Sequence, residues 1–469
     1  VLIRNAEIDC GARVADVRIT AGRISEISVA LHPAPGDVVI DAHGDALLPG
    51  LHDHHLHLFA LAAARASVQC GPPEMQSAAA LAQRLRDAAA RLHQGAWLRG
   101  IGYHESVAGE IDRDWLDRQV SARPLRVQHR SGRLWILNSR ALEQLGELAA
   151  DTPLERVDGR ITGRLYDGDA WLRSRIGTSR PDLSEVSRLY ASRGVTGLTD
   201  TSQHNGPDEF RIFAMARQRG ELLQDLLVMG DTRLDRVKDS AGVTRGAHKF
   251  HLHEHQLPDF EVLCAQIRRA HRAGRAAAFH CVTRTDLVFA LSALRDAGSM
   301  PGDRIEHAAV APPELMPEFV ALGLAVVTQP GFIAERGDDY LRDVAAEDQP
   351  WLYRLRGFLD AGVALAGSSD APYTDPNPWP AMQAAVARRT RDGRSIGADE
   401  ALTPEQALAL FTSPLRQPGA AARRVEVGAP ADLCLLDAPW HHVRANLAKT
   451  RIRLTLKDGA VIWGGDAQQ

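Results

Sequence analysis

Residues 49–57 read Pro49-Gly50-Leu51-His52-Asp53-His54-His55-Leu56-His57. On a strand, residues two apart face the same side. His55 and His57 can then both point at one metal ion held at the strand's end. His52 and His54 read as packing groups or as partners of the ligands. Taken alone, the His-x-His pair also suits a polar loop with surface histidines, so the rest of the chain has to decide.

Working outward, the middle of the chain alternates strand-like runs with helical patterns, which argues for a parallel sheet. Eight strands are predicted, roughly at 53–57, 195–200, 225–230, 247–253, 276–281, 303–308, 324–329 and 363–369. Helical patterns at 259–273 and 312–322 fall between later ones at β/α spacing. Eight is the count that a closed (β/α)8 barrel needs. Trp97 to Gly102 and Leu125 to Gln128 also read as strands and fall in a long insertion, roughly 58–190. A structureless loop of that length is implausible, so the insertion must carry its own elements, among them a helix at 78–92.

The two ends of the chain resemble each other in character. Val1 to Ile8 and Val17 to Ile19 are strand-like, and Gly22 marks a turn before Ile24. Ala431 to Leu436, Arg453 to Leu456 and Val461 to Trp463 repeat the pattern near the other end. Short strands split by Gly and Asp turns suggest a β-sandwich. The expected fold class is therefore α/β: a distorted (β/α)8 TIM barrel with a small β-sandwich domain formed from both termini. The expected domains are 1–52 for the first half-sandwich, 53–417 for the barrel with its insertion, and 418–469 for the second half-sandwich.

Three polar residues stand where barrel active sites are built, at the C-terminal ends of predicted strands. His280 ends the run Ala276-Ala277-Ala278-Phe279, His307 ends Arg304-Ile305-Glu306, and Asp370 follows Val363 to Ser369. Any one of them alone reads as a satisfied structural group, but with His55 and His57 they occur in barrel order. Ala247 to His255 is less usual. Lys249, His251 and His253 share one parity, and spacing alone leaves the choice between Lys249 and His251 open. A lysine carboxylated by CO2 becomes an anionic oxygen ligand, whereas an ordinary lysine is salt-bridged.

These segments resemble the amidohydrolase superfamily, and more narrowly its YtcJ-like branch, the amidohydrolase 3 family. The resemblance rests on Pro49 to His57, Trp97 to Tyr103, Asn138 to Leu142, Gly194 to Asp200, Gly367 to Pro372 and Gly428 to Leu433, and it covers nearly the whole chain. It implies metal ligands at His55, His57, Lys249, His280, His307 and Asp370, with Lys249 carboxylated. It also implies a hydrolase acting on carbon–nitrogen bonds other than peptide bonds: an amide, N-acyl or cyclic amide. Two divalent ions can activate a water to hydroxide near neutral pH and polarise a carbonyl. Asp370 is placed as general base and then acid. Two zinc ions per chain are expected, because histidine and carboxylate oxygen suit zinc.

One departure concerns the pocket. Many relatives carry a histidine after the glycine that is Gly132 here, and this chain has Arg133. Arg130 or Arg133 could hold a substrate carboxylate by a bidentate contact. Tyr103, His104 and Glu105 follow a strand of the insertion and could orient substrate. Gln329, at the end of the seventh strand, could hydrogen-bond a substrate amide. Asp200 and the cluster of His251, His253 and His255 read as partners of ligands or as pocket wall.

Composition narrows the alternatives. A formal net charge of -4 offers no basic field for nucleic acid or an anionic membrane. No apolar run reaches the roughly 18 residues that a membrane span needs, and the start at Val1 reads as a strand rather than a signal peptide. Five cysteines, odd in number and without a CxxC pair, suit buried thiols in a reducing compartment. A cytoplasmic enzyme with a small-molecule substrate, and a homodimer at the level of assembly, is the expectation. Two other readings remain: a mononuclear aminohydrolase (deaminase) with unmodified Lys249, and a non-catalytic metal-binding homologue.

Overall fold

In the computed structural model the eight predicted strands form one sheet. They are β1 (Leu51–Leu56), β2 (Val195–Asp200), β3 (Asp225–Gly230), β4 (Val243–His251), β5 (Ala277–Cys281), β6 (Arg304–His307), β7 (Ala325–Thr328) and β8 (Ala364–Gly367). Each is parallel to its neighbour in strict chain order. Past the ends of β8 and β1 the backbone closes the ring. Asp370 N donates to His55 O at 2.8 Å and His57 N donates to Ala371 O at 2.9 Å. Asp53 reinforces the seam, accepting from Ser369 N at 3.0 Å and Ser369 Oγ at 2.5 Å. The barrel is thus nearly closed, and β1 and β2 are buried along their whole length.

The structure describes all residues except 73, 94, 150–151, 177–180 and 465–469. The last five residues of the expected second half-sandwich lie outside the described residues. By backbone compactness the chain divides into two units, Val1–Leu58 with Leu183–Gln469, and Phe59–Asp182.

In the first unit, two four-stranded sheets accompany the barrel. One runs Arg23–Ser28, Arg13–Thr20, Leu2–Ile8, Val39–Asp41, and the other Ala460–Gly464, Ile452–Lys457, Leu433–Leu436, Leu47–Pro49. Ile3, Ile8 and Val17 from one end share a single core with Leu433, Leu435 and Leu454 from the other. Neither end could bury these side chains alone, so the two complete each other. Leu47–Pro49 leads straight into β1 through Gly50. A Cβ at Gly50 would collide with the Thr196 side chain, so only glycine permits this approach of β1 to β2.

The second unit holds a six-stranded mixed sheet, in the order Leu154–Val157, Arg160–Tyr166, Leu134–Leu137, Leu125–His129, Leu98–Tyr103, Val68–Gln69. Helix Ala78–Arg91 packs Leu81 and Leu85 into a core with Leu98, Leu125 and Val127. Ser77 caps that helix by accepting from Ala80 N. The helical pattern at 312–322 becomes a 3₁₀ turn, Pro313–Leu315, followed by the short helix Met316–Ala321. Pro312, Pro313 and Pro317 supply no backbone N–H, so a single uninterrupted α-helix cannot form there.

Candidate metal centre

Five imidazoles, a carboxylate and an amine line one cavity of about 380 Å³ at the C-terminal mouth of the barrel: the expected ligands His55, His57, His280, His307, Asp370 and Lys249, with His251 beside them. The strand-end reading thus brings all six expected ligands together. Three of the histidines share one arrangement. His55 Nδ1 is hydrogen-bonded to the Glu306 carboxylate, His57 Nδ1 lies 3.1 Å from Ser202 Oγ, and His307 Nδ1 lies 2.8 Å from Gln329 Oε1. With Nδ1 tethered to oxygen, each imidazole presents Nε2. That is how a histidine is fixed to ligate a cation through its other nitrogen.

The Nε2 atoms of His55 and His57 each lie 3.4 Å from Asp370 Oδ1. One ligand atom each of His55, His307 and Asp370 fall within 4.8 Å of one another. His280 completes the ring wall, its centroid 4.5 Å from that of His307 and 4.1 Å from that of His251. Three buried polar atoms of this cavity make no hydrogen bond: Lys249 Nζ, His307 Nε2 and Asp370 Oδ1. An unpaired buried polar atom costs about 1–3 kcal/mol, and three on one cavity are what a cation site leaves when its donors converge. Imidazole nitrogen with carboxylate oxygen is a donor set that fits a divalent zinc-like ion.

Electrostatics agree with that fit. Burial pushes His55 and His307 well below the ordinary histidine range, with Lys249 adding to the effect. His280 is lowered by burial and by the neighbouring His307. Burial likewise lowers the Lys249 ammonium, opposed by Glu306. Burial raises the Asp370 carboxyl, opposed by His57 and Lys249. A neutral imidazole is the form that ligates.

Backbone conformation aims two of these groups. His307 and Asp370 have φ of 68° and 57°, in the left-handed region that β-carbon sterics disfavour. His307 therefore turns its side chain at the last residue of β6, and Asp370 three residues past the end of β8. Such strained positions concentrate at functional sites.

Behind the imidazoles lies a buried chain of charge. Arg304 Nε donates to Glu306 Oε1 at 2.5 Å and its Nη2 donates to His54 O at 2.9 Å. Glu306 is held below the usual carboxylate range despite complete burial, through Arg304 first and Lys249 second among the lowering charges. Sequence reading missed Glu306, Arg304 and Ser202. Strand parity was the available signal for the first two, since Arg304 and Glu306 share one face of β6.

The remaining expected residues fall differently. Gln329 is fully buried with both ends of its amide engaged, the second by Ser368 Oγ at 2.9 Å. It therefore positions His307. Tyr103, His104, Glu105, Arg130 and Arg133 all belong to the unit Phe59–Asp182. Tyr103 donates its hydroxyl to Gly109 O at 2.6 Å. His104 accepts from Ser106 N at the start of a short helix, and the Glu105 carboxylate lies 3.2 Å from His129 Nε2. Arg130 donates its backbone N–H to Tyr103 O at 2.8 Å. Arg133 is already engaged bidentately by Asp167, at 2.7 and 2.6 Å. Asp200 accepts from Leu58 N, Ser202 N and Asn205 Nδ2, which spends its oxygens on holding the loop after β2. His52 and His54 both bond to Ser413, outside the cluster. His251 lines the cavity, 4.3 Å from the His253 ring, whereas the His255 side chain is 92% exposed.

The chain is similar to known proteins over most of its length. The model of the amidohydrolase family matches residues 38–463. The chain is 26% identical to an N-substituted formamide deformylase of Arthrobacter pascens, covering 97% of each chain. It is 23% identical to the putative amidohydrolase YtcJ of Bacillus subtilis (strain 168), over 92% of this chain and 91% of that one. Among solved structures, an uncharacterized metal-dependent hydrolase from Pyrococcus furiosus superposes with a TM-score of 0.75 at 19% identity, over 93% of this chain and 98% of that one.

Proposed function

The chain belongs to the amidohydrolase family, and from that premise we propose a binuclear metal hydrolase that cleaves an amide, N-acyl or cyclic amide bond. One observation carries the reading. Asp370 Oδ1 sits 3.4 Å from two inward imidazole nitrogens, while His307 Nε2 and Lys249 Nζ reach the same cavity, buried and unpartnered.

In this reading His55, His57, His280, His307 and Asp370 hold two divalent ions, zinc by preference, with Lys249 as a carbamate. Bound there, the ions supply a water activated near neutral pH and a polarised substrate carbonyl. The protein's own groups do the rest. The Asp370 carboxylate takes the proton of the attacking water and returns it to the departing nitrogen. Glu306, Ser202 and Gln329 fix the three imidazoles so that the site is formed before substrate arrives. Phe332 and Tyr353, both buried, cover one side of the cavity and exclude bulk water.

Lys249 joins by a balanced step. Its neutral amine adds to CO2, forming a nitrogen–carbon bond and releasing one proton, and yields a carbamate with two oxygen donors. A buried amine with no hydrogen-bond partner supports this, since a lysine carrying its charge would repel two dications. All five cysteines are free thiols, which favours a cytoplasmic setting.

The test is metal content per chain together with turnover on a panel of N-formyl, N-acetyl and cyclic amides, esters and ring amidines. Two ions per chain and release of amine are expected. One ion with ammonia released from a ring amidine would favour deamination, and metal binding without turnover on any amide or ester would mark a non-catalytic homologue.

A further inference from the structure

The cavity has two chemically different walls. Beside the ligands it is lined by the aromatic residues Phe332, Tyr340, Tyr353 and Tyr373, the last packed edge-on against His57. Helix Gly331–Asp343 starts directly after Gln329 and Pro330, so its first turns border the ligand end of the barrel. Phe332, Arg336 and Tyr340 are spaced four apart, hence share one face of that helix, and all three line the cavity. Arg336 is thus an exposed cation at the rim of the aromatic wall.

Its partners leave most of it unspent. The guanidinium carbon lies 4.8 Å from the centre of the Phe332 ring, and one Nη2 donates to Tyr373 O at 2.7 Å. A guanidinium has five N–H donors. Among the described residues no carboxylate lies within ion-pair distance of Arg336. Its neighbours behave otherwise: Arg342 is paired with Asp339 and Asp343, and Arg394 with Asp338. Glu335 accepts from Asp375 N at 3.0 Å and feels the Arg336 charge without pairing with it. An aromatic face and a backbone carbonyl orient the fork without neutralising it.

We propose that Arg336 anchors a carboxylate of the substrate, so that the bond cleaved belongs to an N-acyl amino acid or a similar anionic amide. The apolar substituent of such a molecule lies against Phe332, Tyr340 and Tyr373, and its carboxylate meets the guanidinium by a bidentate contact. This assignment rests on the hydrolytic reading above, and it moves recognition of negative charge from Arg133, which Asp167 already occupies, to the barrel itself.

Two compounds that differ only in the carboxylate test it: N-formylphenylalanine and N-formyl-2-phenylethylamine. On the metal-loaded enzyme, kcat/KM should favour the first. In Arg336→Gln that preference should fall about 10- to 100-fold, mainly through KM, the range of a lost charged hydrogen-bond pair. Arg336→Lys should recover part of it. Calorimetric binding of both compounds to metal-loaded Asp370→Asn protein, with and without Arg336→Gln, supplies a readout that needs no turnover. Discrimination in binding without hydrolysis would leave the anchor standing and remove the hydrolytic reading. Hydrolysis with equal losses on both compounds, or binding of neither, would overturn the anchor.

Discussion

Gln329 Oε1 lies 2.8 Å from His307 Nδ1, while the same amide donates through Nε2 to Ser368 Oγ at 2.9 Å. The amide is a clamp: one end holds an imidazole and the other is locked by the strand next door. Gln329→Ala should therefore weaken metal retention about 10- to 100-fold, the usual effect of losing a partner behind a ligand. Competition with a chelator measures this. Relative rates across a panel of amides should stay in the wild-type order. A changed order with unchanged metal affinity would restore Gln329 to the substrate.

Asp370 is expected to carry the proton. Asp370→Asn keeps an oxygen donor but cannot take up a proton, so turnover should fall by about 10²- to 10⁴-fold while metal stays bound. Elemental analysis beside steady-state kinetics separates the two roles. Full activity in the variant would sink the proton-transfer assignment.

Lys249 decides between one ion and two. Reconstitution of metal-free protein should proceed further when bicarbonate accompanies the metal. Lys249→Ala should lose activity and about one ion per chain, and short carboxylic acids should restore part of the activity by occupying the vacated bridge. Carbon-13 NMR after labelled bicarbonate reads the carbamate directly. One ion per chain with no carbamate signal would select the mononuclear reading.

Glu405 offers a test of stability away from the site. It accepts from Arg444 Nε at 2.8 Å and Trp440 Nε1 at 3.0 Å, and these contacts, the Arg444 one first, hold its carboxyl down at about 2 from 4.5. A carboxyl lowered on folding stabilises above its unfolded value and loses that contribution as pH falls through the folded one. The window is thus pH 4.5 down to about 2. At 40% exposure the side chain is screened by solvent, so the effect should be modest. Tm measured against pH should show Glu405→Gln less stable than the wild type at pH 7, with the gap closing below pH 4. A gap independent of pH would mean that packing, not charge, is at stake.

Much of the fold was legible because barrel strands carry a local signature. Short strand-like runs give β2, which starts after Gly194, and β3, which ends at Gly230, at their observed bounds, and the expected ligands stand at or just past strand ends. What joins the ligands was not legible. Glu306 reaches His55 across 251 positions, and nothing near residue 306 says which imidazole its carboxylate will meet. Lys249 and His251 share a parity, and burial separates them: Lys249 is enclosed, His251 exposed. Arg336 sits in a helical pattern whose neighbours are mostly charged, so by sequence it reads as one more solvated side chain. Only the position of the helix after β7 turns its face to the cavity. Arg133 looked free because its partner, Asp167, stands 34 residues away in a separate strand context.

The passage from Leu47–Pro49 through Gly50 into β1 bears on the order in which the protein can be made. The strand leading into His55 pairs with Leu433–Leu436, and the far side of β1 is sealed by Ser369 and Asp370. A ribosome delivers His55 and His57 early; β2 then pairs with one flank of their strand, while the other flank waits for Ser369 and Asp370, more than 300 positions later. Until then β1 has an open edge on that side, where Asp370 N and Ala371 O later pair with His55 O and His57 N. The cluster of His55, His307 and Asp370 is therefore complete only once Asp370 has been made.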